Sequence, residues 1–376
     1  MMSARFLTVV LERAFNMRDG FGREIDYMRI SVIDSCNLNC YYCNPCDNNE
    51  HCHALNILSV KEVLCIVRAA TRLGIKHFRL TGGEPLLHPQ LDEMVLQIKK
   101  ISGVSSVSLT TNAVLLAQHA KWLKEAGIDS INVSLDTIDA SEYERITKKP
   151  LLEEVKHGIN AAIECGIRVK INVVLTPQTD VVALTRYVAK KGTDIRFIEM
   201  MPVGEGHTNG VEPYKKVIGT LSKLYGEPCR INTEKTKEIN SGNDKRKIPD
   251  NGPAEYYIFP ELGIRVGLIQ AIHGKFCDTC NRIRVTADGR LMPCLGSSVT
   301  MDLVPDSCEF TDDLEKDFVI VQALKAAIKA KPGCHNFNDN AVTYTKTTET
   351  KTTEIKTTEL KAAEVNAARN MSRIGG

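Results

Sequence analysis

The sequence predicts an α/β protein built on an incomplete (β/α)6 barrel of the TIM-like kind, followed by a smaller C-terminal domain. Over about the first two hundred residues, apolar runs of strand length alternate with segments whose apolar residues recur at helical spacing. Repeated strand–helix units favour a parallel sheet with right-handed crossovers. Six such units are fewer than the eight that close a TIM barrel, so we expect an open barrel.

The predicted strands are short and apolar, and the helices between them carry start and stop signals. The strands are Met28–Ile33, His77–Thr81, Val104–Thr110, Ser130–Leu135, Val169–Leu175 and Ile195–Met200. The helices are Ser59–Leu73, Gln90–Ile101, Leu115–Ala126, Leu151–Cys165 and Val181–Lys191. A capping box begins the first helix at Ser59 and Glu62. Glycines that suit a helix C-cap follow at Gly74, Gly127, Gly166 and Gly192.

The pattern changes after residue 204. We predict helices at Val211–Tyr225 and Leu314–Lys329, a polar loop at Asn232–Asn251, and hairpins at Tyr256–Phe259 with Ile264–Ile269 and at Ile283–Thr286 with Leu291–Cys294. A Lys-Thr-Thr-Glu repeat at 345–361 cannot form a core and indicates a disordered linker. The predicted regions are an N-terminal extension (1–16), the partial barrel (17–204), a C-terminal domain (205–335), a low-complexity linker (336–370) and a Gly-Gly tail (371–376).

Composition indicates an ordinary globular protein of the cytoplasm. The 376 residues are 43% hydrophobic and 25% charged, and the formal net charge of +2 gives no basic field for a nucleic-acid polymer. The longest apolar runs have strand length, so no membrane partner is expected. The odd count of 13 cysteines, without a secretory signal, favours metal ligation in a reducing compartment over disulfides.

Cys36, Cys40 and Cys43 form a C-x3-C-x2-C motif directly after the first predicted strand. Thiolates are soft ligands that suit iron–sulfur clusters and zinc. In a four-iron cubane, three protein thiolates leave one iron open, and an open metal position is typical of a catalytic site.

Cys277, Cys280 and Cys294 form a second motif, C-x2-C-x13-C. It fits a second three-cysteine cluster or a zinc site that lacks one ligand. Arg282 and Arg284 alternate in a strand pattern, so both would point to one side of the strand. Two guanidinium groups beside a metal centre suit a phosphate or nucleotide, although solvated surface arginines would give the same pattern.

Polar motifs follow the second, third and fourth predicted strands, at Thr81–Pro85, Thr110–Asn112 and Ser134–Asp136. With the first cysteine motif they are expected along one rim, where α/β folds place their sites. The two glycines of Thr81-Gly-Gly-Glu-Pro85 indicate a close approach of backbone to a ligand.

These motifs together resemble the radical S-adenosylmethionine (SAM) enzymes, and more narrowly the GTP 3',8-cyclases of molybdenum cofactor biosynthesis. The resemblance covers residues 17–335 and returns at 371–376. The segments that carry it are Gly22–Ser31, the first cysteine motif, Leu80–Leu86, Asn132–Asp136, Arg196–Met201, Phe276–Arg284 and the terminal Gly-Gly.

The resemblance implies the two cofactor types and a set of site residues. Cys36, Cys40 and Cys43 would hold the [4Fe–4S] cluster that binds SAM, and Cys277, Cys280 and Cys294 an auxiliary [4Fe–4S] cluster that contacts the GTP base. The implied SAM contacts are Tyr42, Gly83, Glu84, Thr110, Asn112, Ser134, Lys170 and Met201. The implied GTP contacts are Arg29, Arg79, Arg196, Arg282 and Arg284. The implied catalytic tail residues are Gly375 and Gly376.

The resemblance further implies a lyase that converts GTP to (8S)-3',8-cyclo-7,8-dihydroguanosine 5'-triphosphate. A reductant protein such as flavodoxin or ferredoxin would supply electrons, and cyclic pyranopterin monophosphate synthase would take the product. It also allows a homodimer.

The sequence departs from the family pattern at several positions. An extra Cys46 gives a ferredoxin-like C-x2-C-x2-C spacing with Cys40 and Cys43, which would close the open iron if Cys46 bound it. A zinc site from Cys46, His51, Cys52 and His53 is a further alternative. The favoured interpretation is that Cys46 and Cys52 are free cysteines in a loop. Ala113 stands where the family has glycine, and His88 where a basic residue is common.

Two other functions fit part of the pattern. A radical SAM enzyme that modifies a peptide would also carry C-terminal cluster cysteines, although Arg282 and Arg284 favour a nucleotide. A non-catalytic protein stabilised by zinc would explain the cysteines alone.

Overall fold

The computed structural model describes residues 17–43, 56–203, 211–231, 252–297, 299–303, 313–335 and 337. The N-terminal extension, the loop at 232–251, the low-complexity linker apart from residue 337, and the Gly-Gly tail lie outside the described residues, and so do Cys46, His51, Cys52 and His53. None of the described helices is both long and apolar enough to cross a membrane.

Six parallel strands in chain order form the centre of the sheet, as predicted. They are β1 (Tyr27–Ser31), β2 (His77–Thr81), β3 (Ser106–Thr111), β4 (Ser130–Ser134), β5 (Val169–Val174) and β6 (Asp194–Ile198). In the sheet order, β1 and β6 are not neighbours, and each pairs with a strand from the C-terminal half. The predicted open barrel is therefore confirmed.

Helices connect these strands: α1 (Val60–Arg72), α2 (Leu91–Lys99), α3 (Leu116–Glu125), α4 (Ala140–Thr147), α5 (Leu152–Glu164) and α6 (Val181–Lys190). The predicted capping box of α1 is present, because the Ser59 hydroxyl accepts from the Glu62 N–H and the Glu62 carboxylate accepts from the Ser59 N–H. Helix α4 was not predicted. It is only 8 residues long, and Asp139 caps its N-terminus.

The C-terminal half extends the same sheet from both edges instead of building a separate one. One edge holds β7 (Cys229–Ile231), β8 (Glu255–Ile258) and β9 (Arg265–Ile269), and the other holds β10 (Arg282–Val285), β11 (Arg290–Met292) and β12 (Met301–Asp302). The two predicted hairpins are confirmed as antiparallel pairs of β8 with β9 and of β10 with β11. Strand β9 pairs parallel to β6, and β10 pairs parallel to β1.

Two further helices complete the C-terminal half. A π-helical turn (Tyr214–Ile218) runs into α7 (Gly219–Tyr225), and α8 (Asp313–Lys329) packs against α1. An ion pair of Arg72 with Asp317, 3.0 Å apart, joins α1 to α8.

The core lies between the helices and the outer face of the sheet. Phe78 of β2 and Phe197 of β6 are fully buried there, and each side chain of this size contributes about 1.5–3 kcal/mol through burial. A buried ion pair, Arg265 with Asp194, fixes β9 to β6, with Nε donating to Oδ1 over 3.0 Å. The other face of the sheet is polar, and it lines the site.

Candidate active site

A cavity of about 710 Å³ occupies the interior of the open barrel. Alternate residues of the strands point into it, because successive side chains of a strand face opposite sides. Examples are Tyr27 and Arg29 in β1, Arg79 and Thr81 in β2, and Asn132 and Ser134 in β4. The site therefore runs along the strands as well as across the predicted rim.

Almost all of the predicted site residues line this one cavity. They include all six predicted cluster cysteines, all five predicted GTP-contacting arginines, and Tyr42, Gly83, Thr110, Asn112, Ser134, Lys170 and Met201. Glu84 does not line it, and Gly375 and Gly376 lie outside the described residues.

The first cysteine segment (residues 34–43) leaves the end of β1 and is held over the cavity. Its backbone donates hydrogen bonds to the last turn of α4, from Asn39 N to Thr147 O (3.0 Å) and from Tyr41 N to Ile146 O (3.1 Å). None of the three cysteines forms a disulfide with another described residue. Burial raises the pKa of Cys36 to about 11, so a bound cation is needed to stabilise the thiolate. Three thiols on one short segment at the cavity fit an iron–sulfur cluster.

Gly82 and Gly83 pack against this segment so closely that no side chain fits. A Cβ on Gly83 would lie 2.1 Å from the Ser35 carbonyl oxygen, and one on Gly82 would lie 2.3 Å from that of Ile33. The Gly83 N–H donates to Ile33 O over 2.8 Å. In the described structure, the close approach that the sequence indicated is therefore made to the cysteine segment's own backbone.

Glu84 lies behind the cavity wall and is fully buried. Its carboxylate accepts hydrogen bonds from Thr111 Oγ1 (2.6 Å), Asn112 N (2.7 Å) and Leu86 N (3.0 Å). Burial raises its pKa to about 7, although the three donors act in the opposite direction. In this arrangement Glu84 orients the loop that follows β3, and Asn112 Nδ2 from that loop donates to Asn37 Oδ1 over 2.7 Å.

The loop after β3 turns at Ala113, whose φ of 65° lies in the left-handed region. This conformation costs an L-residue about 1–2 kcal/mol, and glycine avoids that cost. The structure thus gives a physical reason for the glycine that the family pattern has at this position.

Tyr42 contributes to the cavity wall through a bond that the sequence did not reveal. Its hydroxyl donates to Asp136 Oδ2 over 2.5 Å, and Asp136 Oδ1 accepts from Val174 N over 2.8 Å. Burial raises the pKa of Asp136 to about 6. The pair joins the first cysteine segment to the ends of β4 and β5.

Three arginines form a row across adjacent strands. Arg29 of β1 is in register with Arg284 of β10 on one side and with Arg79 of β2 on the other. Burial lowers the pKa of Arg29 well below its usual value, and the neighbouring charge of Arg284 lowers it further. Burial likewise lowers the pKa of Arg284 to about 10. Like charges held together in a row at a partly buried cavity wall favour the binding of a polyanion.

Tyr27 lies on β1 beside this row, two residues before Arg29, and the sequence analysis did not single it out. Arg79 Nε donates to its hydroxyl, and the Arg282 guanidinium lies 5.5 Å from its ring centroid. Burial acts to raise the pKa of Tyr27, but the charges of Arg79, Arg282 and Arg29 outweigh this and lower it to about 8. The sequence did offer a signal for Tyr27, because it stands two residues before Arg29 at the start of the first predicted strand. Side chains two residues apart on a strand face the same side of the sheet.

Arg196 and Lys170 lie on the opposite wall. Arg196 Nε donates to Asn172 Oδ1 over 2.9 Å, while its buried Nη2 has no hydrogen-bond partner among the described residues. Gly267 of β9 makes room for this side chain, since a Cβ there would lie 2.8 Å from Arg196 Cγ. The buried Oδ1 of Asn132 also has no partner within the described part of the chain. Such atoms fit a polar ligand in the cavity.

The second cysteine segment (residues 276–294) is held by two buried cations. Arg23 donates to Cys277 O over 2.6 Å, and Lys331 Nζ donates to Arg282 O and Pro293 O over 2.9 Å each. Burial acts to raise the pKa of Cys280, but Lys331 and Arg282 outweigh it and lower the pKa. A cysteine kept near cations fits a thiolate ligand. The sequence analysis did not single out Arg23, although it lies in the Gly22–Ser31 segment, and it missed Lys331, which belongs to no motif.

The chain matches two known families over most of the described residues. It matches the Radical SAM superfamily over residues 30–183 and Molybdenum Cofactor Synthesis C over residues 193–337. The structure resembles SuiB of Streptococcus suis bound to S-adenosylmethionine, with a TM-score of 0.54, 15% identity, and coverage of 85% of this chain and 69% of SuiB. At that identity the likeness shows a shared fold only. The fold and the family matches define a radical SAM enzyme.

Curated relatives narrow the class. The GTP 3',8-cyclase of Clostridium perfringens (strain SM101 / Type A) is 35% identical over 324 residues, covering 85% of this chain and 95% of the relative. That of Pelotomaculum thermopropionicum is 36% identical over 327 residues, with the same coverage. The chain belongs to the GTP 3',8-cyclase family.

This membership confirms several predictions made from the sequence. The protein is an enzyme of the lyase type, and its cofactors are SAM and two [4Fe–4S] clusters. The family does not favour the peptide-modifying enzyme or the zinc-stabilised scaffold. The residues that hold each group stay predictions.

Proposed function

We propose that this chain converts GTP to (8S)-3',8-cyclo-7,8-dihydroguanosine 5'-triphosphate, the first step of molybdenum cofactor biosynthesis. The observation that carries the proposal is the row of Arg284, Arg29 and Arg79, which lines the same cavity as both cysteine triplets. A triphosphate would bring negative charge to this row, and each guanidinium can make bidentate bonds to phosphate oxygens.

Cys36, Cys40 and Cys43 would hold the cluster that binds SAM, and Cys277, Cys280 and Cys294 the auxiliary cluster at the guanine base. When bound, these groups supply the hydrogen abstraction from the ribose and the electron that the ring closure requires. The protein's own part is to hold ribose and base in a reactive geometry and to exclude water.

The two walls of the cavity divide this work. The arginine row on β10, β1 and β2 would fix the triphosphate, with Arg282 beside Cys280 directing the nucleotide toward the auxiliary cysteines. Arg196 on β6 would donate its Nη2 to the ribose or phosphate. Tyr42, Gly83, Thr110, Asn112, Ser134, Lys170 and Met201 would contact SAM. Glu84, which lies behind the wall, would act by orienting Asn112.

The protein partners of the reaction are proposed as well. A one-electron reductant such as flavodoxin or ferredoxin would dock from the cytoplasm, and a cyclic pyranopterin monophosphate synthase would consume the product. A homodimer is also allowed. These assignments rest on family membership alone.

The test is to incubate anaerobic, reduced and reconstituted protein with SAM and GTP, and to look for 5'-deoxyadenosine and the cyclised nucleotide by mass spectrometry. Arg284→Ala should weaken GTP binding by about 1.5–3 kcal/mol, the cost of a charge-assisted hydrogen bond. Its matched control is Arg186→Ala, because Arg186 is exposed and bonds to Tyr225 outside the cavity. Equal GTP affinity in both variants would contradict the assigned triphosphate site.

The Gly-Gly tail needs a separate test, because it lies outside the described residues. Deleting Gly375 and Gly376 should leave iron content and GTP binding intact and should abolish the coupling of SAM cleavage to GTP. Full cyclase activity in the deletion would show that the tail has no catalytic role here.

A further inference from the structure

Cys334 and His335 lie against the second cysteine segment, although neither belongs to its motif. The Cys334 Sγ atom is 3.5 Å from Cys277 Sγ. Three possible metal-ligand atoms lie within 4.8 Å of one another, one each from Cys277, Cys334 and His335. This trio is distinct from the C-x2-C-x13-C set, with which it shares only Cys277.

The chain holds the trio together through buried side chains. Arg23 donates to Cys277 O over 2.6 Å and to Gly333 O over 3.0 Å, so one guanidinium ties both backbones. Asp19 Oδ2 in turn accepts from Arg23 Nε over 2.6 Å. The approach of Cys334 to Cys277 is thus fixed by the fold on both sides.

The spacing of the sulfurs suits a single metal ion. For tetrahedral Zn²⁺ with Zn–S bonds of about 2.3 Å, two thiolates lie about 3.8 Å apart. In a cubane each cysteine binds a different iron, and the ligand sulfurs lie farther apart than this. The observed 3.5 Å between Cys277 and Cys334 therefore fits one shared ion better than two cluster irons.

The surroundings of His335 also fit a metal ligand. Its Nε2 hydrogen-bonds to Ala271 O over 2.7 Å. A ligating histidine typically makes this second bond, which fixes the tautomer and leaves the other nitrogen with a lone pair. The Phe337 N–H lies 3.4 Å from Nδ1, a long bond that a metal would replace.

We propose that Cys277, Cys334 and His335 bind a single Zn²⁺ ion in the chain that lacks its auxiliary cluster. Two thiolates and one imidazole are borderline-soft ligands of the kind that zinc prefers. Because Cys277 is also a proposed cluster ligand, zinc and the auxiliary cluster would exclude each other. Zinc would therefore be bound only by chains that carry no auxiliary cluster.

The experiment uses the full chain, freed of clusters and kept reduced without oxygen. Cys36, Cys40, Cys43, Cys46, Cys52, Cys280 and Cys294 are replaced by alanine to remove the other candidate ligands of the two cysteine motifs and of the loop after Cys43. Zn²⁺ alone is titrated against a chromophoric chelator, and Co²⁺ reports thiolate ligation by its absorption. We expect one tight Zn²⁺ site per chain in this background.

Adding Cys334→Ser should weaken Zn²⁺ binding by more than about tenfold, since loss of even an outer-shell partner costs about that much. Cys229→Ser is the matched control, because Cys229 is likewise exposed but lies on β7. Cys334 is exposed, so its substitution should leave the melting temperature unchanged. Equal Zn²⁺ affinity in Cys334→Ser and Cys229→Ser would overturn the proposal.

A second measurement tests the exclusion. Wild-type chain loaded with Zn²⁺ before reconstitution should take up about four irons instead of about eight, as one cubane is lost. Cys334→Ser should restore the full iron uptake under the same conditions. Iron uptake that ignores Zn²⁺ would refute mutual exclusion. Neither measurement involves GTP, so failure here would leave the proposed cyclase function untouched.

Discussion

Arg23 is the residue whose loss we expect to separate the auxiliary site from the rest of the barrel. Its guanidinium bonds to Cys277 O, Pro332 O and Gly333 O at 2.6, 2.7 and 3.0 Å, and forms a salt bridge with Asp19. One side chain thus connects the turn before β1, the second cysteine segment and the chain that follows α8.

The magnitude follows from burial. The Asp19 side chain is 0% exposed and that of Arg23 is 6% exposed. Arg23→Ala leaves a buried carboxylate without its cation, and breaking a buried pair in this way costs about 3–5 kcal/mol. Asp19 keeps hydrogen bonds from the N–H groups of Phe21 and Arg23, so we expect the lower end of that range. The three carbonyl groups lose their shared donor as well.

The assay measures iron content and urea unfolding in reconstituted protein. Arg23→Ala should lose about 3 kcal/mol of unfolding free energy and should keep the first cluster while losing most of the auxiliary one. Arg18→Ala is the matched control, because Arg18 lies in the same turn and, within the described residues, its side chain donates only an exposed hydrogen bond to Gly22 O. If Arg23→Ala kept about eight irons and wild-type stability, Arg23 would not anchor the auxiliary site.

Three more outcomes follow from particular contacts. Gly83→Ala should lose the SAM cluster, because its Cβ would lie 2.1 Å from a carbonyl oxygen of the first cysteine segment. Gly219→Ala should keep the cluster, because its Cβ would meet nothing within 4 Å. Iron analysis of both variants distinguishes the two outcomes. GTP affinity should fall as pH rises through about 8, where Tyr27 becomes a phenolate among the arginines, and calorimetry should find no such fall in Tyr27→Phe. Asp194→Ala should cost about 3–5 kcal/mol in urea unfolding by stranding the buried Arg265.

The expectations for Gly83 and Tyr27 each have a result that would contradict them. Equal iron content in the two glycine variants would mean that the cysteine segment adapts to a side chain at Gly83. A pH-independent GTP affinity in the wild type would mean that Tyr27 stays neutral in the site. For stability, the folded pKa of Tyr27 is below its usual value of 10.0, so its contribution should rise between about pH 8 and about pH 10, and a flat profile would contradict that shift.

The order of strands and helices around the parallel sheet was predictable from the spacing of apolar residues. That spacing differs between strands and helices, because each element buries one face. All six strands were placed correctly to within about two residues, and Gly74, Gly127, Gly166 and Gly192 all have the positive φ that a C-cap requires. Helix α4 was missed because eight residues give too short a periodic pattern. Its end nevertheless holds the first cysteine segment.

The sequence predicted the cavity-lining residues that belong to motifs. It did not predict the residues that reach the site only through tertiary contacts. The cysteines and arginines stand in recognisable spacings, and they line one cavity. Arg23, Lys331 and Cys334 act through contacts more than thirty residues away in sequence, as the pairing of Arg23 with Cys277 across 254 positions shows. Local patterns cannot report such contacts, because they depend on how the two edges of the sheet are completed.

The completion of those edges explains why the two halves of the chain share one site. Strand β10 pairs parallel with β1, in the register that aligns Arg284 with Arg29 and Arg282 with Tyr27. A shift of one residue would turn both arginines of β10 to the other face of the sheet, because side chains alternate along a strand. The register also sets where Cys277 and Cys280, which precede β10, meet the cavity. The pairing of β10 with β1 therefore determines both the arginine row and the position of Cys280.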